Sequence, residues 1–217
     1  PVLPWHTQAP VRALNREALA VALRSACGRA GVLRPVVLAA NPVAAYYADL
    51  VPYAAPAYLK LDEYARLPGV DPKLAQEAEA AMHARADLLL TSARTLIPAD
   101  RALAARYQYL PQGVDHAHFA VAARSLPATR VLGFFGLLAE WIDFELIEAV
   151  ARARPQWTLE LRGPVRVLPE QLRQLPNIKI LPPVPYADLP AAISHWRAAW
   201  MPFRVNELTR GVNPLKA

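Results

Sequence analysis

The chain of 217 residues has little of what builds disulfide frameworks, metal centres or bilayer spans. Its single cysteine, Cys27, cannot form an internal disulfide, which fits a reducing compartment. Cys27 sits among Ala and Arg in a helical pattern and reads as structural filler rather than as a reactive thiol. The five histidines, His6, His83, His116, His118 and His195, lack metal-ligand spacing with cysteine or acid clusters. The nearest pair, His116-x-His118, reads as a turn. No apolar run approaches the roughly 18 residues that a spanning helix needs. The opening Pro-Val-Leu-Pro-Trp-His has neither the basic start nor the apolar centre of a signal peptide. It also lacks a leading Met, so these residues are expected to lie partway along a longer protein. No repeat occurs at solenoid periods, and the full G-x-G-x-x-G phosphate motif is missing.

What is present describes a folded chain. Hydrophobic residues make up 54%, ample for a buried core and unlike a disordered segment. The 22 prolines fall at element boundaries rather than in one tract. The net charge of +6 is spread evenly, with 12 basic and 9 acidic residues in each of 1–112 and 113–217. That spread argues against a nucleic-acid stripe while leaving anionic partners such as nucleotide diphosphates or phospholipid surfaces open.

Strand and helix patterns alternate along the chain. Residues 10–30 have helical spacing up to Gly31, a C-cap. Pro35-Val-Val-Leu-Ala-Ala and Ala57-Tyr-Leu-Lys-Leu read as buried strands. A helix is expected from Asp71 as N-cap and Pro72 at the first helical position to Arg85. Asp87-Leu-Leu-Leu-Thr is a strand, Ser92 a candidate cap for a further helix, and Tyr107 to Leu110 the closing strand of this half. In the second half, strands are expected at Arg130–Phe135, Trp157–Leu161, Asn177–Leu181 and Ala198–Met201. Helices are expected at Asp143–Arg154, Pro169–Leu175 and Tyr186–Arg197. Such alternation points to parallel sheets covered by helices on both faces, with ligands beyond the carboxyl ends of the strands.

The stretch Tyr109-Leu-Pro-Gln-Gly-Val-Asp-His-Ala-His-Phe119 resembles the LPNGVD…F signature between the two domains of family 4 glycosyltransferases, with Gln112 in place of Asn. Further stretches are similar to a branch of that family acting in bacterial polysaccharide assembly. They include Arg12-Ala-Leu-Asn-Arg, Asn41-Pro42, Leu61-Asp-Glu-Tyr with Leu67-Pro-Gly, and Glu79, Ala86-Asp87 and Thr91-Ser92. Gly133-Phe-Phe-Gly, Trp141-Ile-Asp, Arg154-Pro, Arg162-Gly-Pro, Leu175-Pro-Asn, Pro185-Tyr-Ala-Asp-Leu-Pro, Met201-Pro-Phe and Asn213-Pro-Leu-Lys follow in the family's order. The resemblance covers almost the whole chain. It implies the GT-B fold: two Rossmann-like halves, 1–112 on the acceptor side and 113–217 on the nucleotide-sugar donor side, each incomplete. Both ends are expected to be truncated, since the family continues past Lys216 into an acidic helix and a strand.

The resemblance also names the chemistry to look for. Departure of a nucleoside diphosphate needs cations or backbone N–H groups. Gly133 and Gly136 lie where a backbone could approach phosphate, although Gly133 can equally be a strand residue that eases packing. Glu140, Asp143, Glu145 and Glu148 crowd the next helix start and would repel an anion, and Glu140 and Trp141 stand where many members carry a cation. Positive charge must then come from elsewhere: the candidates are Arg162 at a strand end, Arg204, Arg210 and Lys216, each arginine with a solvated surface role as the alternative, and Lys216 foremost because Pro-Leu-Lys resembles the family's donor-side motif. Asn206 and Thr209, in the polar segment after a strand, contact the donor sugar or satisfy their own loop. Asp62, at a strand end, is the candidate general base for an acceptor hydroxyl, with a turn or capping role as the alternative.

The expected activity is transfer of a sugar from a UDP- or GDP-linked donor to a saccharide or lipid-linked acceptor in cell-surface polysaccharide assembly. The outcome is expected to be retaining, with no cofactor, no metal and no nucleic-acid partner. The expected location is cytoplasmic, with peripheral contact at the inner face of the membrane through residues 10–30. There Arg12 and Arg16 flank Leu19 and Leu23. An ordinary amphipathic helix packed on the sheet is the alternative for that segment. For the whole chain, the alternative is a non-catalytic nucleotide- or partner-binding α/β module without a full donor site.

Overall fold

A computed structural model describes residues 8–47, 49–50, 52, 55–120 and 128–213. The chain divides into two compact units, one running to Gln112 and including Arg210–Asn213, the other spanning Gly113–Thr209.

In the first unit, helix α1 (Ala9–Ala30) ends at Gly31, which takes a left-handed conformation at φ 66° as expected of a C-cap. Strand β1 (Val36–Ala39) leads through Asn41 into a 3₁₀ turn, Pro42–Tyr46. Strand β2 (Ala55–Lys60), helix α2 (Pro72–Arg85) and strand β3 (Leu88–Thr91) follow. Asp71 caps α2 by accepting from the amides of Lys73 and Leu74, and Pro72 opens the helix, so that boundary was written in local chemistry. A short helix α3 (Arg101–Ala104) and strand β4 (Tyr107–Tyr109) complete a parallel sheet in the order β1-β2-β3-β4. Its core gathers Tyr58, Met82, Leu89, Ala45 and Tyr107.

Ser92 does not cap a helix. Its hydroxyl donates to the Leu61 carbonyl at 3.2 Å, while Ala93 precedes a single 3₁₀ turn, Arg94–Leu96. Residues 210–213 belong with this unit through two bonds: Thr95 Oγ1 donates to the Arg210 carbonyl at 2.8 Å, and the Asn213 amide to the Ser92 carbonyl at 2.7 Å.

The second unit begins with helix α4 (His116–Ala120), where Phe119 packs edge-on against Tyr186 and His118 stacks on the same ring. Strand β5 (Val131–Phe135), helix α5 (Phe144–Ala153), strand β6 (Thr158–Arg162), helix α6 (Glu170–Arg173) and strand β7 (Ile178–Leu181) alternate as expected. Helix α7 (Leu189–Ile193), strand β8 (Ala198–Ala199) and helix α8 (Glu207–Arg210) finish the order. The sheet is parallel, β7-β6-β5-β8.

Asp143 caps α5, which buries Phe144, Ile147 and Ala151 along one stripe. Leu159 and Leu161 are fully buried beneath it, each side chain stabilising the fold by roughly 2 kcal/mol. The expected helix Tyr186–Arg197 is shorter: a 3₁₀ turn and α7 stop at Ile193. Trp196 leaves the helical path because its indole lies over Gly133, where a Cβ would come 2.0 Å from the ring. The helix expected at Pro169–Leu175 is likewise trimmed to four residues.

Candidate functional site

The second unit shows how its sequence-marked residues are used. Gly133 serves packing, since the Trp196 ring fills the place of a side chain. Gly136, at φ 148°, gives its amide to the Arg162 carbonyl at 2.9 Å. That N–H is therefore engaged inside the unit. Arg162 ends β6, and its Nη1 donates to the Pro182 carbonyl at 3.1 Å. Its Nε–H is buried without an acceptor among the described residues, which orients a cation at the carboxyl end of the sheet with one donor unsatisfied.

The loop from Leu138 to Ile142 is anchored, with Leu138, Ala139 and Ile142 all fully buried. Its Glu140 pairs with Arg166, whose guanidinium lies 5.1 Å over the Trp141 ring. The Arg166 hydrogen bond holds the Glu140 carboxyl below its usual range. Arg166 thus brings a cation to the loop that carries none of its own. Sequence reasoning missed it, although Arg166 stands three residues after Gly163, where the strand-end loop turns.

Arg204 donates through Nε to the Ile142 carbonyl at 3.3 Å. Asn206 and Thr209 bond each other reciprocally: the Asn206 amide donates to Thr209 Oγ1 and the Thr209 amide to Asn206 Oδ1, both at 3.0 Å. Thr209 Oγ1 also donates to the Arg204 carbonyl. These two side chains close their own loop. Lys216 lies outside the described residues.

Glu160, buried on strand β6, accepts from the Trp196 indole at 2.8 Å and contacts His195 Nε2 at 2.9 Å.

The first unit holds Asp62 just beyond β2. Burial raises the Asp62 carboxyl above its ordinary value, the direction a general base needs if it is to take a proton near neutral pH. Its neighbour Tyr64 is pushed up to about 12, chiefly by burial and then by the charge of Asp62. Beneath them Lys60, 5% exposed, lies 3.1 Å from Glu79 and 3.5 Å from Glu63. Tyr58 donates to Glu79 at 2.9 Å, and His83 bonds Tyr107 at 2.8 Å. A lysine inside an apolar strand was the visible signal of this cluster; its partner nineteen residues on was not.

Arg12 and Arg16 of α1 turn toward the 3₁₀ turn after β1. Arg16 pairs with Asp49 and the Tyr46 carbonyl, and Arg12 lies 5.7 Å over the Tyr46 ring. Among the described residues, no helix is long and apolar enough to cross a membrane.

Solved structures share this architecture. The structure of Anabaena HepE in complex with UDP-glucose is similar with a TM-score of 0.60, at 17% identity, over 91% of this chain and 58% of HepE. HepE in complex with UDP and glucose gives 0.58 at 16% identity, over 92% and 57%. TarM gives 0.53 at 7% identity, over 76% of this chain and 35% of TarM. The chain thus spans less than two thirds of the length of HepE. No family model matches the chain, and no curated protein does. The likeness, together with two parallel four-stranded sheets flanked by helices, shows the α/β fold class expected from the sequence.

Proposed function

We propose that this chain is part of a glycosyltransferase that moves a sugar from a UDP- or GDP-linked donor to a saccharide or lipid-linked acceptor. The reading places it in cell-surface polysaccharide assembly, with retention at the anomeric carbon and no cofactor beyond the donor itself. The observation that carries it is a coincidence of two kinds. Motifs resembling family 4 members run in order along the chain, and the same residues fold over 91% of their length like a protein crystallised with UDP-glucose.

In this reading the second unit holds the nucleotide sugar. Arg162 is the best-supported diphosphate partner, because its guanidinium sits at a strand end with a buried, unsatisfied N–H. Arg204 and Lys216 supply further positive charge, and Asn206 and Thr209 shape the sugar-facing loop rather than spending their side chains on the donor. Gly136 contributes a tight turn. Asp62 in the first unit orients an acceptor hydroxyl, its raised pKa suiting it to accept a proton. Residues 10–30 are the segment proposed for peripheral contact with the inner face of the membrane, through exposed Leu14, Val21 and Leu23 rather than through Arg12 and Arg16, which face their own unit.

A second reading, a non-catalytic α/β binding module, is favoured by one observation. The groups best placed to meet a diphosphate after β5 are already engaged: the Gly136 amide by Arg162, and the start of α5 by Asp143. The two readings separate in a transfer assay. The protein is incubated with UDP-glucose or GDP-mannose, with and without an acceptor glycoside. A transferase forms nucleoside diphosphate and an extended glycoside only when acceptor is present; a binding module forms neither.

A further inference from the structure

Arg162 ends β6 at the carboxyl edge of the second sheet. The amino edge of the same sheet holds a separate cavity of about 240 Å³. Three neighbouring strands line it through Leu132 of β5, Leu159 of β6 and Ala198 of β8, joined by Val150 of α5, Trp157 and Arg154. The register sets Leu132 beside both Leu159 and Ala198, so the apolar surface is continuous across the strands. The volume falls short of the roughly 300 Å³ at which drug-sized sites begin, so the cavity admits a short apolar body and excludes a sugar nucleotide.

The charge at this edge is of one sign. Arg154 is exposed and gives Nη1 to the Ala153 carbonyl at 3.0 Å; among the described residues, no carboxylate pairs with it. Arg130 is exposed two residues before Leu132, and its carbonyl accepts from the Thr158 amide at 2.8 Å. It therefore follows the pleat of β5 and stands on the face that carries Leu132.

Carboxylates on the lining elements are directed elsewhere. Glu148 pairs with Arg152 at 2.8 Å, and Glu145 belongs to the first turn of α5, at the far end of that helix. Glu160 alternates with Leu159 along β6 and accepts from Trp196 on the other face. The carbonyls ending α5, whose dipole would oppose an anion, are covered. Val150 accepts from the Arg154 amide at 3.0 Å and Ala151 from the Asn177 side chain at 2.9 Å.

We propose that this cavity binds a small amphiphilic carboxylate, its hydrocarbon body against Leu132, Leu159 and Trp157 and its carboxylate on the guanidiniums of Arg154 and Arg130. Guanidinium and carboxylate match in charge and in paired hydrogen-bond geometry. The assignment is independent of the transferase reading, since no residue proposed to hold donor or acceptor lines the cavity.

The test is calorimetric titration of the protein at neutral pH with octanoate, beside octylamine and butyrate. Octanoate is expected to bind saturably, with a dissociation constant of about 1 mM or tighter. It should bind at least about tenfold more tightly than octylamine, which has the same body and the opposite charge. The same margin, about tenfold, is expected over butyrate, which buries less hydrocarbon. Replacing both arginines, Arg130→Gln with Arg154→Gln, is expected to weaken octanoate about tenfold. Ala198→Phe, which fills the cavity from an exposed edge strand, should weaken it at least about tenfold. Both variants change exposed side chains, so their melting temperatures should match the parent's. Absence of saturable binding in that range, equal affinity for octylamine or butyrate, or full affinity in either variant overturns the proposal.

Discussion

Gly136 and Gly163 meet backbone to backbone: a Cβ built on Gly163 would lie 2.1 Å from the Gly136 carbonyl oxygen. Both residues have positive φ, 148° and 145°, so each strand-end loop depends on a glycine for its path as well as for space. Gly163→Ala is therefore expected to destabilise the second unit by roughly 3 kcal/mol, combining backbone strain with a clash against unyielding main chain. Urea unfolding of the variant measures this. A midpoint equal to that of the parent would show that the two loops do not pack in this way.

The cluster around Lys60 makes a second prediction. Lys60→Met leaves Glu79 and Glu63 without their buried cation and is expected to cost roughly 3 kcal/mol. Pairing it with Glu79→Leu should recover part of that loss, because the uncompensated charge goes with it. A double variant less stable than both single variants would show that the carboxylate is held by other partners.

Asp62 sets stability against activity. Its folded pKa lies above the ordinary value of 3.8, so the fold favours the protonated form. That favourable contribution is present in acid and is lost as pH rises through the folded value. At pH 7 the ionised carboxylate therefore opposes folding. Asp62→Asn is expected to melt higher than the parent at pH 7, with the gap closing toward pH 4. If Asp62 also takes the acceptor proton, the variant loses about 100-fold or more in transfer rate. A variant that melts lower at pH 7 would contradict the burial argument.

His83 titrates with the opposite sign. Burial lowers its pKa below the ordinary 6.5, with Lys60 and Arg106 acting in the same direction and Glu79 opposing them. The unfolded chain takes up the proton first as pH falls, so stability declines on acidification below about 6.5 until the folded pKa is reached. His83→Gln should flatten that part of the curve. Melting temperatures between pH 7 and 5 that fall equally in both proteins would assign the decline to another group.

Local chemistry explains which parts were legible in advance. Asp71 with Pro72, Asp143 and Gly31 mark helix ends through caps a few residues long, and each boundary is found where these residues stand. Ser92 has the composition of a cap, yet its hydroxyl serves Leu61, thirty-one residues away in sequence. The helix after Tyr186 stops early because Trp196 is drawn onto Gly133, a tertiary contact that helical spacing does not register. The same limit applies to the sites. Arg162 and Asp62 were visible as charges at strand ends, whereas the Arg166–Glu140 and Lys60–Glu79 pairs exist only once separate elements converge.

The most direct test of the central claim is calorimetric titration of the protein with UDP-glucose and with a GDP-sugar. Saturable binding of one of them, with a dissociation constant between about 1 µM and 1 mM as for common enzyme substrates, is the predicted result. No heat of binding with either sugar nucleotide across that range would contradict a nucleotide-sugar transferase.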